Sequence, residues 1–270
     1  MRVALIAPAA AGRTPARSRR NRMLSDSVTL AARSITLTMR RPDAMLTALL
    51  MPILLMVVFG YLFSGAIHIA TGYVTYLVPG IVLTCVVLGS STTAVSVNTD
   101  MAKGVIDRFR TLNVGGPAFL SGHVSASTVR SAATVALVFA VAFPMGARFQ
   151  AGWLGWLGAA GIILLLILAV SWLSAVGGLL VRSPEAASSF TFFMMLVPFT
   201  SSAFVPVATM PSWLHGFVSR QPATLIIESL RSSLRHHSPG NYAWESAAWC
   251  GGIVLISLAI SSLIFQRRTA

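Results

Sequence analysis

Six long apolar segments cover most of this 270-residue chain, at 44–64, 74–97, 127–147, 156–181, 187–207 and 246–265, and none of the seven acidic residues lies inside one. Crossing a hydrocarbon core of about 30 Å takes about 20 mostly apolar residues as a helix, and every segment reaches that length. Within lipid a helix is the element that satisfies its whole backbone inside one segment. The expected fold is therefore an all-α membrane protein of six transmembrane helices, with too little sequence left over for a soluble enzyme domain. A mean hydropathy of +0.77 and a charged fraction of 10% agree, since a soluble domain would carry about 25% charged residues. A proton- or sodium-driven transporter needs ionisable groups at membrane depth. Their absence among the acidic residues here points to an energy source outside this chain.

The net charge of +13 raises nucleic acid as a partner, but its distribution argues for a membrane surface instead. Nine of the 20 basic residues precede residue 44. With a cytoplasmic N-terminus, the inner segments hold those nine together with Lys103, Arg108, Arg110, Arg130, Arg182, Arg267 and Arg268, leaving Arg148, Arg220, Arg231 and Arg235 outside. This positive-inside bias puts both termini in the cytoplasm of a multi-pass protein of the cell membrane. Residues 1–24 read as a disordered basic tail beside anionic headgroups, where each charge contributes about 1 kcal/mol. The apolar stretch Val3 to Ala11 is broken by Pro8, and no apolar core follows the arginine pair at 19–20, so neither reads as a cleaved signal. Residues 25–41 show Val28, Ala31, Ala32, Ile35 and Met39 at helical spacing against Arg33, Arg40 and Arg41, the pattern of a helix lying in the interface.

The second segment turns polar towards its inner end, with Ser90, Ser91, Thr92, Thr93, Ser96 and Asn98. Hydroxyls in such a helix face either neighbouring helices or a water-lined cavity. The loop 98–123 follows, helical in its first half and ended by Gly115-Gly116-Pro117. There Val105, Ile106, Phe109 and Leu112 form an apolar stripe beside Asp107, Arg108 and Arg110. A helix too short to bury its own stripe rests on the bilayer or the bundle, or docks into a partner's groove. On the other side, 208–245 contains two short amphipathic patterns. One is Trp213, Leu214, Phe217 and Val218; the other, after Pro222, is Ala223, Ile226, Ile227, Leu230 and Leu234. Glu228 with Arg231 and Arg235 reads as the solvated face of the second.

Catalytic and metal-binding patterns (HExxH, GxSxG, CxxC) do not occur in the sequence, and the adjacent His236 and His237 would point different ways. The single lysine, Lys103, stands between Ala102 and Gly104, which rules out a P-loop of the Gly-Lys-Ser/Thr form. Cys85 and Cys250 fall within apolar segments and read as small hydrophobes. The expectation is a chain with no catalytic residues, no metal and no cofactor of its own, driven by a separate protein.

Two stretches carry a family resemblance: KGVIDRFRTLNVGGPAFLSGH, and GLLVRSPEAASSFTFFMMLVPFTSSAFVPVATMPSWL with the later QPATLIIESLR. The second has a Ser-Pro-Glu-Ala turn, a proline-containing span, a Phe-x-Pro exit, Met-Pro-x-Trp-Leu and a proline-led outer helix. Over residues 25–268 the chain resembles the permease subunit of type-2 ABC exporters, most closely the daunorubicin-resistance-like branch of actinobacteria. The resemblance implies that helix 25–41 borders the ATPase-facing side and that residues 103–112 form a coupling helix seated in an ATPase subunit. Val105, Ile106 and Phe109 would supply its apolar contact and Asp107, Arg108 and Arg110 its polar rim, with Lys103 at its start also among the coupling residues. This chain has Ala102-Lys103-Gly104 where such families often carry Glu-Arg-Gly. Residues 211–235 would close the exit side, with Pro206, Pro211, Trp213, Leu214 and Pro222 marking its helices.

Ser91, Thr92, Phe193 and Phe199 are the candidate translocation-path residues. Phe139, Phe143, Trp172 and Phe192 add to an aromatic character that suits a hydrophobic cargo and is also ordinary membrane composition. The implied function is an ATP-driven exporter of a hydrophobic or amphipathic, drug-like molecule, with ATP and Mg held by the partner ATPase and a second permease copy or homologue completing the complex. Lipid, glycolipid or polysaccharide is the rival cargo, and a membrane scaffold that transports nothing is the rival of another class. Gly155 with Ala159, and Ala248 with Gly252, are small-residue pairs that would allow close helix contact.

Overall fold

The computed structural model describes residues 42–63, 65, 72–103, 116–181, 183–235 and 240–267, and among them every regular element is helical. Eight α-helices follow in order: α1 (Pro42–Leu62), α2 (Tyr73–Ala102), α3 (Gly116–Ala142), α4 (Trp153–Leu180), α5 (Pro184–Phe199), α6 (Ser212–Arg220), α7 (Pro222–Ser233) and α8 (Gly240–Arg267). A 3-10 turn at Val207–Thr209 precedes α6. The expected tail 1–24, the interfacial helix 25–41 and residues 104–115 lie outside the described residues.

Punctuation by proline, glycine and serine explains the boundaries. Pro42 opens α1, and Pro184 and Pro222 stand at the first helical positions of α5 and α7, where the missing N–H costs nothing. Ser183 caps α5 by accepting a bond from the Ala186 N–H at 3.2 Å. α3 stops at Ala142 because Pro144 and Gly146, the latter at φ 92°, follow in a turn.

α2 is the centre of the bundle. It is apolar on every side over most of its length and packs against α1, α3, α4, α5 and α7, as expected of a helix buried all round. Leu77, Val78, Ile81, Val82 and Val86 meet Leu166 and Ile167 of α4 and Ile227 and Leu230 of α7 in the main core. A second cluster, of Val97, Leu120, Val124, Trp172 and Ala175, fills the opposite end. Cys85 and Cys250 are buried in the main core as small hydrophobes.

Connectivity places residues 63, 72, 143–152 and 200–235 at one end of the bundle and residues 103, 181 and 183 at the other. Cross-links confirm both ends: the Gln150 N–H donates to the Leu234 carbonyl at 3.2 Å, while Asn98 Nδ2 donates to the carbonyls of Gly178 and Val181 at 3.1 and 2.8 Å.

Two of the expected segments differ in register. The third, expected at 127–147, is α3 at Gly116–Ala142, because the Gly-Gly-Pro taken as loop punctuation starts the helix. Arg130, counted above among the inner charges, consequently sits at the middle of α3. The fifth, expected at 187–207, is the 16-residue α5, about 24 Å long at 1.5 Å per residue. Residues 200–206 after it turn sharply, with Ser201 Oγ bonded to the Pro198 carbonyl at 2.6 Å and accepting from the Ala203 N–H at 3.2 Å. Among the described residues four helical stretches have the length and apolarity to cross a membrane: Tyr73–Ala102, Phe119–Ala142, Trp153–Leu180 and Asn241–Ile264.

Candidate functional site

The non-helical turn 200–206 leaves backbone carbonyls without helical partners, and a single arginine gathers them. Arg231 of α7 is 4% exposed. Its Nη2 donates to the Ser202 carbonyl at 2.7 Å, and Nε and Nη2 both reach the Tyr76 carbonyl of α2 at 3.2 Å. Nη1 pairs with Glu228 Oε1 at 2.6 Å and bonds Ser202 Oγ at 3.2 Å. The guanidinium carbon lies 3.4 Å from the centroid of the Tyr76 ring, within cation–π range. Burial lowers the Arg231 pKa from its ordinary value, and the Glu228 carboxylate beside it acts in the opposite direction.

Tyrosine hydroxyls complete the joint. Tyr76 donates to the Ser202 carbonyl at 2.9 Å and Tyr73 to the Phe204 carbonyl at 3.0 Å. Gly80 lets the turn approach: a Cβ there would strike the backbone carbonyl of Ala203. A series of stacked and tilted rings runs outward from this point, from Tyr76 through Tyr73, Phe63, Phe59 and Phe204 to Phe199, with successive centroids 4.7 to 6.5 Å apart. The arrangement is a latch that fastens α7 and the turn after α5 to the first turns of α2.

This corrects the reading of Arg231 as part of a solvated face. A signal existed in the sequence, because Arg231 stands four residues after Ile227 and three before Leu234, on the apolar side of α7. Tyr73 and Tyr76 carried no such signal, since they bond backbone carbonyls of a distant turn, and neither did Ser202 of that turn, whose partners are side chains of α2 and α7.

The expected exit-side residues fall where the two short patterns placed them. Pro206 precedes the 3-10 turn, Pro211 precedes α6, and Pro222 opens α7. Trp213 is 78% exposed on α6, Leu214 is half-buried, and Ala223, Ile226, Ile227, Leu230 and Leu234 are buried. The four candidate path residues do not form one group. Ser91 is half-buried and Thr92 exposed near the middle of α2. Phe193, 67% exposed, lies midway along α5, while Phe199, 45% exposed, stacks on Phe204 beside the latch. Lys103 is exposed at the end of α2, where its N–H donates to the Thr99 carbonyl at 3.1 Å. Val105, Ile106, Asp107, Arg108, Phe109 and Arg110 lie outside the described residues.

Several polar side chains of α2 face neighbouring helices, one of the two expected environments. Ser90 accepts from Ser174 Oγ at 2.8 Å, Thr93 accepts from Arg130 at 3.1 Å, and Asn98 holds the end of α4. Thr92 and Ser96 are exposed. Gly155 is used within the chain, against the carbonyl of Ser233, whereas Ala248 is exposed and Gly252 has open space around it. At the end opposite the latch, His123 Nε2 lies 3.2 Å from Asp100 Oδ2. That pair ties α2 to α3 across the roots of segment 104–115.

Residues 26–234 match the family described as ABC-2 type transporter. The chain is 32% identical over 266 residues to the daunorubicin resistance ABC transporter permease protein DrrB1 of Streptomyces coeruleorubidus, an alignment covering 96% of this chain and 92% of that one. It is 22% identical over 225 residues to the probable doxorubicin resistance ABC transporter permease protein DrrC of Mycobacterium tuberculosis, covering 83% of this chain and 81% of the other. Matched in this way over most of its length, the chain belongs to the ABC-2 type transporter family.

Proposed function

We propose that this chain is the membrane subunit of an ATP-driven exporter that moves an amphipathic, drug-like molecule out of the cell. The observation that carries the proposal is the end-to-end alignment with a permease named for daunorubicin resistance. In this family the permease works with a separate ATPase subunit. On this reading six helices cross the membrane with both termini inside, and a second copy or homologue pairs with the chain. The exposed face of the short α5, with Phe192, Phe193, Leu196 and Phe199, is a surface such a partner or the cargo would cover.

The length of α2 supports a route for coupling. Its 30 residues span about 45 Å, from the segment where the ATPase would dock to the Arg231 latch. Residues 103–112 would engage the ATPase, with Asp100 and His123 fixing the base of that segment. Closure of the ATPase would tilt α2 as a rod and shift the balance between a latched and an opened exit, a population shift set by the ATPase's different affinity for the two states.

The test is co-purification of the solubilised full-length chain with a co-expressed ABC ATPase subunit. The wild-type chain is expected to retain the ATPase, and the Arg108→Glu, Phe109→Asp double variant to lose it. Failure of every candidate ATPase to co-purify with the wild type would overturn the proposal.

A further inference from the structure

Arg130 occupies the centre of the stretch Phe119–Ala142, one of those long and apolar enough to cross a membrane. A cation at that depth is expensive and usually marks a functional site. Its Nη2 donates to the Gly89 carbonyl at 3.0 Å and to Thr93 Oγ1 at 3.1 Å. Both acceptors are neutral, so neither cancels the charge. Arg130 belongs neither to the pair of Glu228 with Arg231 nor to the contact of Asp100 with His123. Its Nε is buried without a hydrogen-bond partner.

The group is not sealed in the core. Arg130 is half-buried, and Thr92 beside it on α2 is exposed, as is Ser96 one turn further along. Thr92 Oγ1 donates to the same Gly89 carbonyl at 3.0 Å, so the hydroxyl and the guanidinium meet at one acceptor. Gly89 permits this approach, since a Cβ there would lie 3.2 Å from Ser131 Oγ of α3. Arginine brings a charge to this place, and with both Nη2 hydrogens given to Gly89 and Thr93 it is the N–H groups of Nη1 that are left for an oxyanion.

We propose that Arg130, with Thr92 beside it, is an oxyanion site inside the bundle that receives the carboxylate or phosphate of an acidic amphiphilic cargo. The inference rests on the permease reading for the word cargo, and on the geometry of α2 and α3 for the site itself.

The test uses the full-length chain in nanodiscs of phosphatidylcholine, with tritiated palmitate as the probe and hexadecanol and hexadecyltrimethylammonium as competitors. Wild type is expected to bind palmitate saturably, with both competitors at least about tenfold weaker, in the range set by a charge-assisted hydrogen bond. Arg130→Gln should weaken palmitate binding by a similar factor and Arg130→Lys by less, both variants keeping the wild-type melting midpoint to show that they fold. Should Arg130→Gln misfold, the head-group preference of the wild type decides alone. Palmitate binding unchanged in a folded Arg130→Gln variant, or equal competition by hexadecanol, would overturn the site and leave Arg130 as a tie between α2 and α3. Loss of palmitate binding in discs containing phosphatidylglycerol would make the ligand a resident lipid and overturn the cargo assignment. Co-purification of the ATPase is scored separately with Arg130→Gln. Its retention without palmitate binding removes this site and keeps the permease, whereas Arg130-dependent binding with no ATPase does the reverse.

Discussion

Arg231 concentrates more interactions than any other described side chain, and each belongs to a different piece of the chain: Glu228 on its own helix, Tyr76 on α2, Ser202 on the turn after α5. Removing one partner of a buried ion pair costs about 3–5 kcal/mol, because the other charge and its acceptors are left unmatched. Arg231→Met is therefore expected to lower the melting midpoint by several degrees, and Glu228→Gln by less, since Glu228 is a third exposed and glutamine still accepts a bond. Reaction of the buried Cys85 and Cys250 with a fluorogenic maleimide on heating reads this directly. A midpoint for Arg231→Met equal to wild type would show that the latch contributes no stability. The arginine was half legible in the sequence. Its place on the apolar face of α7 was there to see, but Glu228 three residues before it is equally typical of a solvated helix surface. What separates the two cases is a set of free carbonyls from a turn some 28 residues earlier, and no local pattern reports those.

At the scale of elements, the helices themselves were readable because apolar length and proline punctuation act locally. The existence of α6 and α7 followed from residues at spacings of three and four. Lengths were less secure where two rules compete: Gly115-Gly116-Pro117 can end one helix or begin the next, and here it begins α3. The packing between elements was illegible, since close approach depends on which glycine meets which backbone. Gly80 tests that point. A valine there would collide with the carbonyl of Ala203 and pry the turn from α2, whereas Gly251 of α8 has open space where its Cβ would go. Overpacking of a fitted site costs about 1–3 kcal/mol, while the helix-propensity change is the same at both positions. Gly80→Val should thus lower the thiol-reported midpoint clearly more than Gly251→Val. Equal shifts would mean that the approach of the turn to α2 is loose.

For the whole molecule, orientation rests on charge rather than on packing. Among the described residues the bundle has one end with the latch, α6 and α7, and another with Lys103, the Asp100–His123 pair and the start of α5. Arg148, Arg220, Arg231 and Arg235 all belong to the latch end, so that end is not free of cations. Arg231, however, is buried and paired, and it cannot act as a free loop charge. Discounting it strengthens the bias that places the Lys103 end in the cytoplasm. Thiol labelling in intact cells decides the matter. In a background of Cys85→Ala and Cys250→Ala, Ser212→Cys places an exposed thiol on α6 and Glu185→Cys an exposed thiol at the start of α5. A membrane-impermeant maleimide should label the first in intact cells and the second only after permeabilisation. The opposite pattern would put the latch inside the cell, and the segment proposed to meet the ATPase would then face away from ATP, which the export reading cannot survive.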